Sequence, residues 1–409
     1  MNPKNRKIFN KLLNENKVSK KNVYDLSPNS LFNDDIIEGI KVLLSKKITI
    51  GNITKKFEKE FSKYIGTKYA LMVNSGSSAN LLALFALINP LKKNKLKFGD
   101  EVLIPALCWS TSLWPIVQAG LKPVFVDTDP KTLNISINDL KKKITKKTKA
   151  IMLVHVLGNC TNMDQIKNIV RSKKITLIED TCESLGSKYK NKYLGSYGTF
   201  GSFSFYYSHQ ITSGEGGMIV CNSREDYEII HSLRSHGWDR GLKNNNKNFN
   251  FINSGFNLRP TEIAAAIGYN QFKKLNTFKK IRSNNRKLII KKLINSKKWR
   301  NQYQFINSIK HLDPSWFGLP LLLNKKYIKQ KARFLEKINK KGIETRPIIS
   351  GNFVNQKSVK LYNLNPKKEK FHNTQNIEDR GFFIGIHLKK ISNSELNFLE
   401  KNLLDLDEN

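Results

Sequence analysis

From residue 33 the apolar positions fall at helical spacing. The stretches DDIIEGIKVLLSK (34–46) and ITKKFEKEFSKYIG (53–66) each predict an amphipathic helix, the second stopped by Gly66. The period then shortens. YALMVNS (69–75) is an apolar run of strand length, and SSANLLALFALI (77–88) reads as a helix. DEVLIPA (100–106) reads as a strand and TSLWPIVQAG (111–120) as a helix. KPVFVD (122–127), AIMLVHVLG (150–158) and KITLIED (174–180) are further short apolar runs with helical stretches between them. After GGMIVCNS (216–223) comes the helix REDYEIIHSLRSHG (224–237). Strands alternating with helices predict an α/β fold with a mostly parallel sheet covered on both faces.

Beyond an Asn-rich polar loop at 241–254, RPTEIAAAIGYNQFKKL (259–275) predicts a helix with Pro260 in its first turn. From about residue 276 the chain reads as a long basic helix. A strand in SWFGLPLLL (315–323) and helices at 327–342 and 392–404 follow. The expected organisation is a basic, weakly ordered arm (1–30), a large domain (31–275) and a smaller C-terminal α/β domain (276–409). The longest apolar run, LLALFALI, is far shorter than the roughly 20 residues of a membrane span. The N-terminal stretch has charge but no long apolar core, so no signal peptide is expected, and the expected compartment is the cytoplasm.

Composition sharpens one part of this picture. Of 409 residues, 71 are Lys or Arg and 33 Asp or Glu, a formal net charge of +38. The lysines form no single patch and no nucleic-acid motif accompanies them, so the charge reads as a bias spread over all surfaces. Such a surface attracts small anionic substrates. Against that background, residues 193–242 contain no lysine at all. A segment that excludes the commonest residue of the chain is interior or lines a site. The four cysteines, Cys108, Cys160, Cys182 and Cys221, show neither CxxC spacing nor a histidine cluster, so no metal or iron–sulfur site is expected.

Four places carry candidate chemistry. NSGSSAN (74–80) joins a strand to a helix through small residues, a backbone able to approach an anion at a helix N-terminus; a plain turn has the same composition. Asp180 ends a buried strand, on the edge where open α/β sheets bind ligands. A carboxylate there can keep a pyridine nitrogen protonated, which suits pyridoxal phosphate; it can equally cap a helix. Trp109 follows another strand and either stacks on a planar ring or packs in the core. Last, SFSFYYSHQITSGEGG (202–217) combines Ser204, His209 and a glycine-rich turn inside the lysine-free segment. A lone histidine can be structural.

In this order the motifs resemble the sugar-modifying DegT/DnrJ/EryC1/StrS aminotransferase family, over about residues 31–404. That family places a serine, then four residues, then the cofactor-binding lysine, then four residues and Gly-Glu-Gly-Gly. Here Ser204 and Gly214, Glu215, Gly216 and Gly217 match, and His209 stands at the lysine position. The stretches EDTCESLGS, GFNLRPTEIAAAIG, SWFG and ISGN carry the likeness further, toward the family's His-for-Lys branch. The resemblance implies the aspartate-aminotransferase fold (fold type I), with a seven-stranded sheet in a large cofactor-binding domain and a smaller C-terminal domain. It implies pyridoxal 5′-phosphate and its pyridoxamine form as cofactors, held without a covalent bond by Asp180, Ser204, Gly76, Ser77 and Trp109. Glu183, where relatives usually have Gln, would sit near the ring oxygen. Asn257 would reach the phosphate from the neighbouring subunit of a homodimer. Arg259, Arg346 and Asn352 are candidates for substrate contacts, and His236 and His387 have no assigned role. The implied activity is nucleotide-sugar 3-dehydration in deoxysugar and O-antigen biosynthesis, with L-glutamate as amino donor and His209 moving the proton. GDP as the nucleotide rests on the resemblance alone. An iron–sulfur variant acting on CDP-sugars does not suit the four cysteines. An aminotransferase using a distant lysine, and a non-catalytic homologue, remain the alternatives.

Overall fold

The structure, a computed structural model, describes residues 30–242 and 249–406, together with 23–27 and positions 7 and 11. Most of the expected arm and the centre of the Asn-rich loop lie outside the described residues.

The first two helices, α1 (Asn33–Ser45) and α2 (Asn52–Ile65), sit where the apolar period puts them. On α2 the buried residues Phe57, Phe61 and Ile65 recur every fourth position and form one stripe. Each such side chain contributes roughly 2 kcal/mol of burial. Gly66 ends the helix with φ +79°, a backbone that favours glycine.

Seven strands form the main sheet: β1 (Tyr69–Val73), β2 (Glu101–Pro105), β3 (Lys122–Val126), β4 (Thr148–Val154), β5 (Thr176–Asp180), β6 (Phe200–Ser204) and β7 (Gly217–Cys221). Their order is β1-β7-β6-β5-β4-β2-β3. Only β7 runs against its neighbours, antiparallel to both β1 and β6. Helices α3 (Gly76–Leu87), α4 (Ser110–Gln118), α5 (Ile137–Lys143) and α6 (Met163–Lys173) supply the crossovers, and α7 (Arg224–Arg234) follows the last strand. Strands β2, β6 and β7 are buried along their whole length, which is why they read as continuous apolar runs rather than as alternation.

One helix, α8 (Glu262–Ile294), continues for 33 residues, about 50 Å. Position 276 falls inside it. Pro260 stands before the cap rather than in the first turn: Thr261 is the N-cap, its side chain accepting from the Ala264 amide at 3.2 Å. The carboxylate of Glu262 accepts from the amides of Gly51 (2.8 Å) and Ile53 (2.6 Å) and so takes up the orphan amides at the start of α2.

A second, antiparallel sheet is built from β8 (Tyr303–Phe305), β9 (Gly318–Leu323), β10 (Thr345–Arg346) and β11 (Gly381–Gly385), in the order β8-β9-β11-β10. Helices α9 (Lys331–Lys340), α10 (His372–Arg380) and α11 (Asn393–Leu403) accompany it. Leu319, Leu321 and Leu323 of β9 pack with Phe334 and Leu399 on one face. Leu322 joins the cluster of the main sheet, with Val102 and Ile104, on the other. Part of the expected arm is ordered here: Tyr24 is buried and bridges Ile343 in parallel.

Candidate active site

The carboxyl ends of β1, β2, β5 and β6 open onto one region, the edge where open α/β sheets take ligands. Asp180 ends β5. Its Oδ2 accepts from Ser112 Oγ at 2.7 Å and Asn80 Nδ2 at 2.8 Å, and its Oδ1 accepts from the Cys182 amide at 3.1 Å. No helix follows it, so it is not a cap. Asn80 is in turn fixed by Ser202, whose hydroxyl donates to its Oδ1 at 2.5 Å.

At the end of β1, Ser75 caps α3 by accepting from the Ser78 amide at 3.1 Å. The first-turn amides of a helix have no intrahelical acceptor and favour an anion. Gly76 leaves room for nothing larger: a Cβ there would lie 2.6 Å from Ser204 Cβ and 2.9 Å from Cys182 Sγ. A Cβ on Gly217 would lie 2.6 Å from the Gly76 nitrogen, so the glycine-rich turn abuts the same helix end. Ser77 Oγ donates to Thr111 Oγ1 at 3.0 Å and ties this end to that of α4. There Trp109 is the N-cap residue, 55% exposed; it is not part of the core, and its indole is available for stacking.

His209 sits in the turn after β6. Its amide donates to the Tyr206 carbonyl at 3.0 Å, and the Tyr206 amide donates to Ser204 Oγ at 3.2 Å. The imidazole stands edge-on to Tyr206 and Phe317, with ring centroids 5.9 and 5.1 Å away. Arg282 of α8 donates to the His209 carbonyl at 3.2 Å. Burial, and then the guanidinium of Arg282, hold the imidazole far below its ordinary range, at about 3. The ring is therefore neutral near pH 7. Its Nδ1 is buried with no hydrogen-bond partner among the described residues. Gln210 next to it donates to the carbonyl of Glu183 and to that of Ser315, at 3.3 Å for the latter. Glu183 Oε2 accepts from the Leu157 amide at 3.0 Å. Burial raises this carboxyl to about 7 against the pull of that amide, and the charge of Asp180 pushes the same way.

His209, Ser204, Gly76, Ser77, Trp109, Asp180 and Glu183 are thus linked by short chains of bonds. The other sequence candidates lie apart. Asn257 and Arg259 are exposed and line a separate cleft of about 930 Å³ that neither His209 nor Asp180 borders. Asn257 Oδ1 accepts from Arg259 Nε at 3.1 Å. Arg346 is exposed and pairs with Glu344 at 3.2 Å. Asn352 is buried, donating to Gln375 at 3.0 Å, although neighbouring Ser350 and Phe353 bond to the Cys108 and Ala106 carbonyls beside Trp109. His387 stacks on Tyr24 at 4.1 Å, and His236 is exposed with φ +62°.

Asn80, Ser112, Thr111 and Arg282 were missed. Asn80 lies four residues after Gly76, on the same helix face, a signal the sequence carried. Arg282 has no local signal.

The residues fit pyridoxal phosphate. A carboxylate held by two side chains suits the pyridinium nitrogen, an exposed indole suits the ring face, and a glycine cradle with Ser204 suits the phosphate. The Nδ1 of His209 has no hydrogen-bond partner among the described residues, which leaves it open to one.

Comparison with known proteins agrees. The model of the DegT/DnrJ/EryC1/StrS aminotransferase family matches residues 31–396. GDP-4-keto-6-deoxy-D-mannose 3-dehydratase of Escherichia coli O55:H7 is 39% identical over 375 residues, covering 88% of this chain and 94% of that one. The enzyme of the same name from Yersinia pseudotuberculosis is 40% identical over 360 residues, covering 85% and 90%. A crystal structure of GDP-4-keto-6-deoxymannose-3-dehydratase with a trapped PLP-glutamate geminal diamine superposes with a TM-score of 0.84 at 36% identity, covering 93% of this chain and all of that one. This chain belongs to the DegT/DnrJ/EryC1/StrS aminotransferase family.

Proposed function

We infer that this chain is a pyridoxal-phosphate-dependent 3-dehydratase that removes the C3 hydroxyl of a nucleotide-linked 4-keto-6-deoxy sugar, with GDP as the nucleotide. L-Glutamate is the amino donor. The observation that carries this reading is His209: a histidine stands where the family keeps its lysine, beside Asp180, Ser204 and Gly76, which suit the cofactor.

When bound, the cofactor supplies an electron sink and, in its amine form, the nitrogen that engages the C4 ketone. Asp180, fixed by Asn80 and Ser112, holds the pyridine nitrogen protonated. Trp109 would cover the ring, and Ser204 with the Gly76–Ser77 turn would take the phosphate. His209 cannot bond covalently to an aldehyde carbon as lysine does. Held neutral, it would accept and return a proton at the cofactor's C4′ carbon instead. No lysine stands at this position to compete for the cofactor's amine, and the cofactor's electron sink would supply the driving force for loss of the C3 hydroxyl. Glutamate is converted to 2-oxoglutarate, ammonia is released, and the sugar leaves one oxygen poorer, as a 4-keto-3,6-dideoxy sugar for surface polysaccharides such as O-antigen.

The reading includes a homodimer in which Asn257 of one subunit reaches the phosphate of the other, a large and a small domain meeting along α8, and work in the cytoplasm. Substrate contacts by Arg259, Arg346 and Asn352 belong to the same proposal.

The test supplies the protein with pyridoxal phosphate, glutamate and GDP-4-keto-6-deoxymannose, and follows the sugar by mass spectrometry. The expected product is lighter by one oxygen atom, with 2-oxoglutarate and ammonia released. Recovery of a 4-amino sugar would instead favour amino transfer.

A further inference from the structure

The expected arm contributes more than a tail. Tyr24 is inserted into the edge of the small sheet: its amide donates to the Gly342 carbonyl at 2.8 Å, its carbonyl accepts from the Glu344 amide at 3.0 Å, and its hydroxyl donates to the Gly385 carbonyl at 3.1 Å. Two residues on, the Leu26 amide donates to Glu344 Oε2 at 3.0 Å. The next contacts leave the small sheet altogether. The Ser27 carbonyl accepts from the Tyr207 hydroxyl at 3.2 Å, and Ser30 Oγ donates to the Tyr207 carbonyl at 2.8 Å. The Ser30 carbonyl is held by Gln271 Nε2 of α8 at 2.8 Å.

Tyr207 stands two residues before His209. From within, the turn is closed by Ser204 Oγ and the Tyr206 carbonyl. From outside, it is held at Tyr207 by Ser27 and Ser30 and at the His209 carbonyl by Arg282. The contacts from Ser27, Ser30 and Arg282 reach it from 180, 177 and 73 positions away in sequence.

We propose that residues 23–27 and Ser30 are a positioning element of the catalytic turn, which set His209 through Tyr207 and couple it to the small sheet. This rests on His209 being the base. A base displaced by about 1 Å loses much of its advantage even when its chemistry is intact. The role differs from that of a structural tail because it acts on one side chain.

The experiment compares Ser30→Ala, Ser30→Thr and Tyr207→Phe. The first readout is the imidazole resonance of His209 in cofactor-free, 15N-histidine-labelled protein, identified by its loss in His209→Asn. The second is the split between kcat and KM. Ser30→Ala and Tyr207→Phe are expected to broaden or shift the His209 resonance, leave that of buried His155 in place, and lower kcat about ten-fold at unchanged KM. Ser30→Thr keeps the hydroxyl and is expected to restore both. A His209 resonance unmoved in Ser30→Ala and Tyr207→Phe overturns the proposal, as does a shift equal at His155. If the unaltered protein dehydrates no sugar, the functional reading fails, and the resonance comparison still decides the positioning role.

Discussion

At the scale of single residues, the site shifts two titratable groups away from their ordinary ranges, each toward its neutral form. His209 is kept neutral by burial and Arg282, and Glu183 is pushed up to about 7. For Glu183 the sign of the stability effect follows directly. Below the ordinary carboxyl range both folded and unfolded chains hold the proton, and folding costs nothing extra. Between that range and about pH 7 the unfolded chain gives up its proton first, so the native state loses stability as pH rises. In the cofactor-free protein, Glu183→Gln is therefore expected to melt about 2 °C higher than the parent at pH 8 and equally at pH 4. Equal melting at both values would contradict the raised carboxyl. The residues differ in how legible they were. His209 was readable because Ser204 and Gly214 to Gly217 fix its register. Its neutrality was not, since Arg282 lies 73 positions away and meets it only through α8.

At the scale of elements, periodicity located the strands and helices because a buried parallel sheet writes itself as short apolar runs. It placed Pro260 two positions too far in, since a Thr cap with proline before it and a Pro-first helix look alike in one dimension. The site depends most on the N-terminus of α3, where three chain segments converge on Gly76. Gly76→Ala would drive a methyl group against Ser204 and Cys182. We expect pyridoxal phosphate affinity, measured by absorbance titration, to fall at least about ten-fold, and stability by about 1–3 kcal/mol. Unchanged affinity would move the phosphate elsewhere.

At the scale of the whole molecule, Asn257 and Arg259 stand exposed on a cleft away from His209, and the proposed site shared between two copies would have to be completed by that face of the partner. A mixing experiment reads this directly. Chains carrying His209→Asn or Asn257→Asp are each expected to be nearly inactive. Refolded together, they form heterodimers in which one of the two sites has both residues intact, recovering about a quarter of the parent activity. No recovery in heterodimers shown to have formed would place Asn257 outside the partner's site. No helix among the described residues is long and apolar enough to cross a membrane.

The long helix α8 has a consequence for how such a chain can drift over evolutionary time. It carries Glu262 under α2, Gln271 against Ser30, Arg282 at the His209 turn and Asn285 on the carbonyls of His387 and Lys389. A codon gained or lost between any two of these would turn everything beyond it by about 100°. Point substitutions on its outer face are harmless by comparison. A one-residue insertion or deletion inside α8 is therefore expected to cost far more than a substitution on its exposed face, where Lys273, Lys280, Lys287 and Lys291 stand.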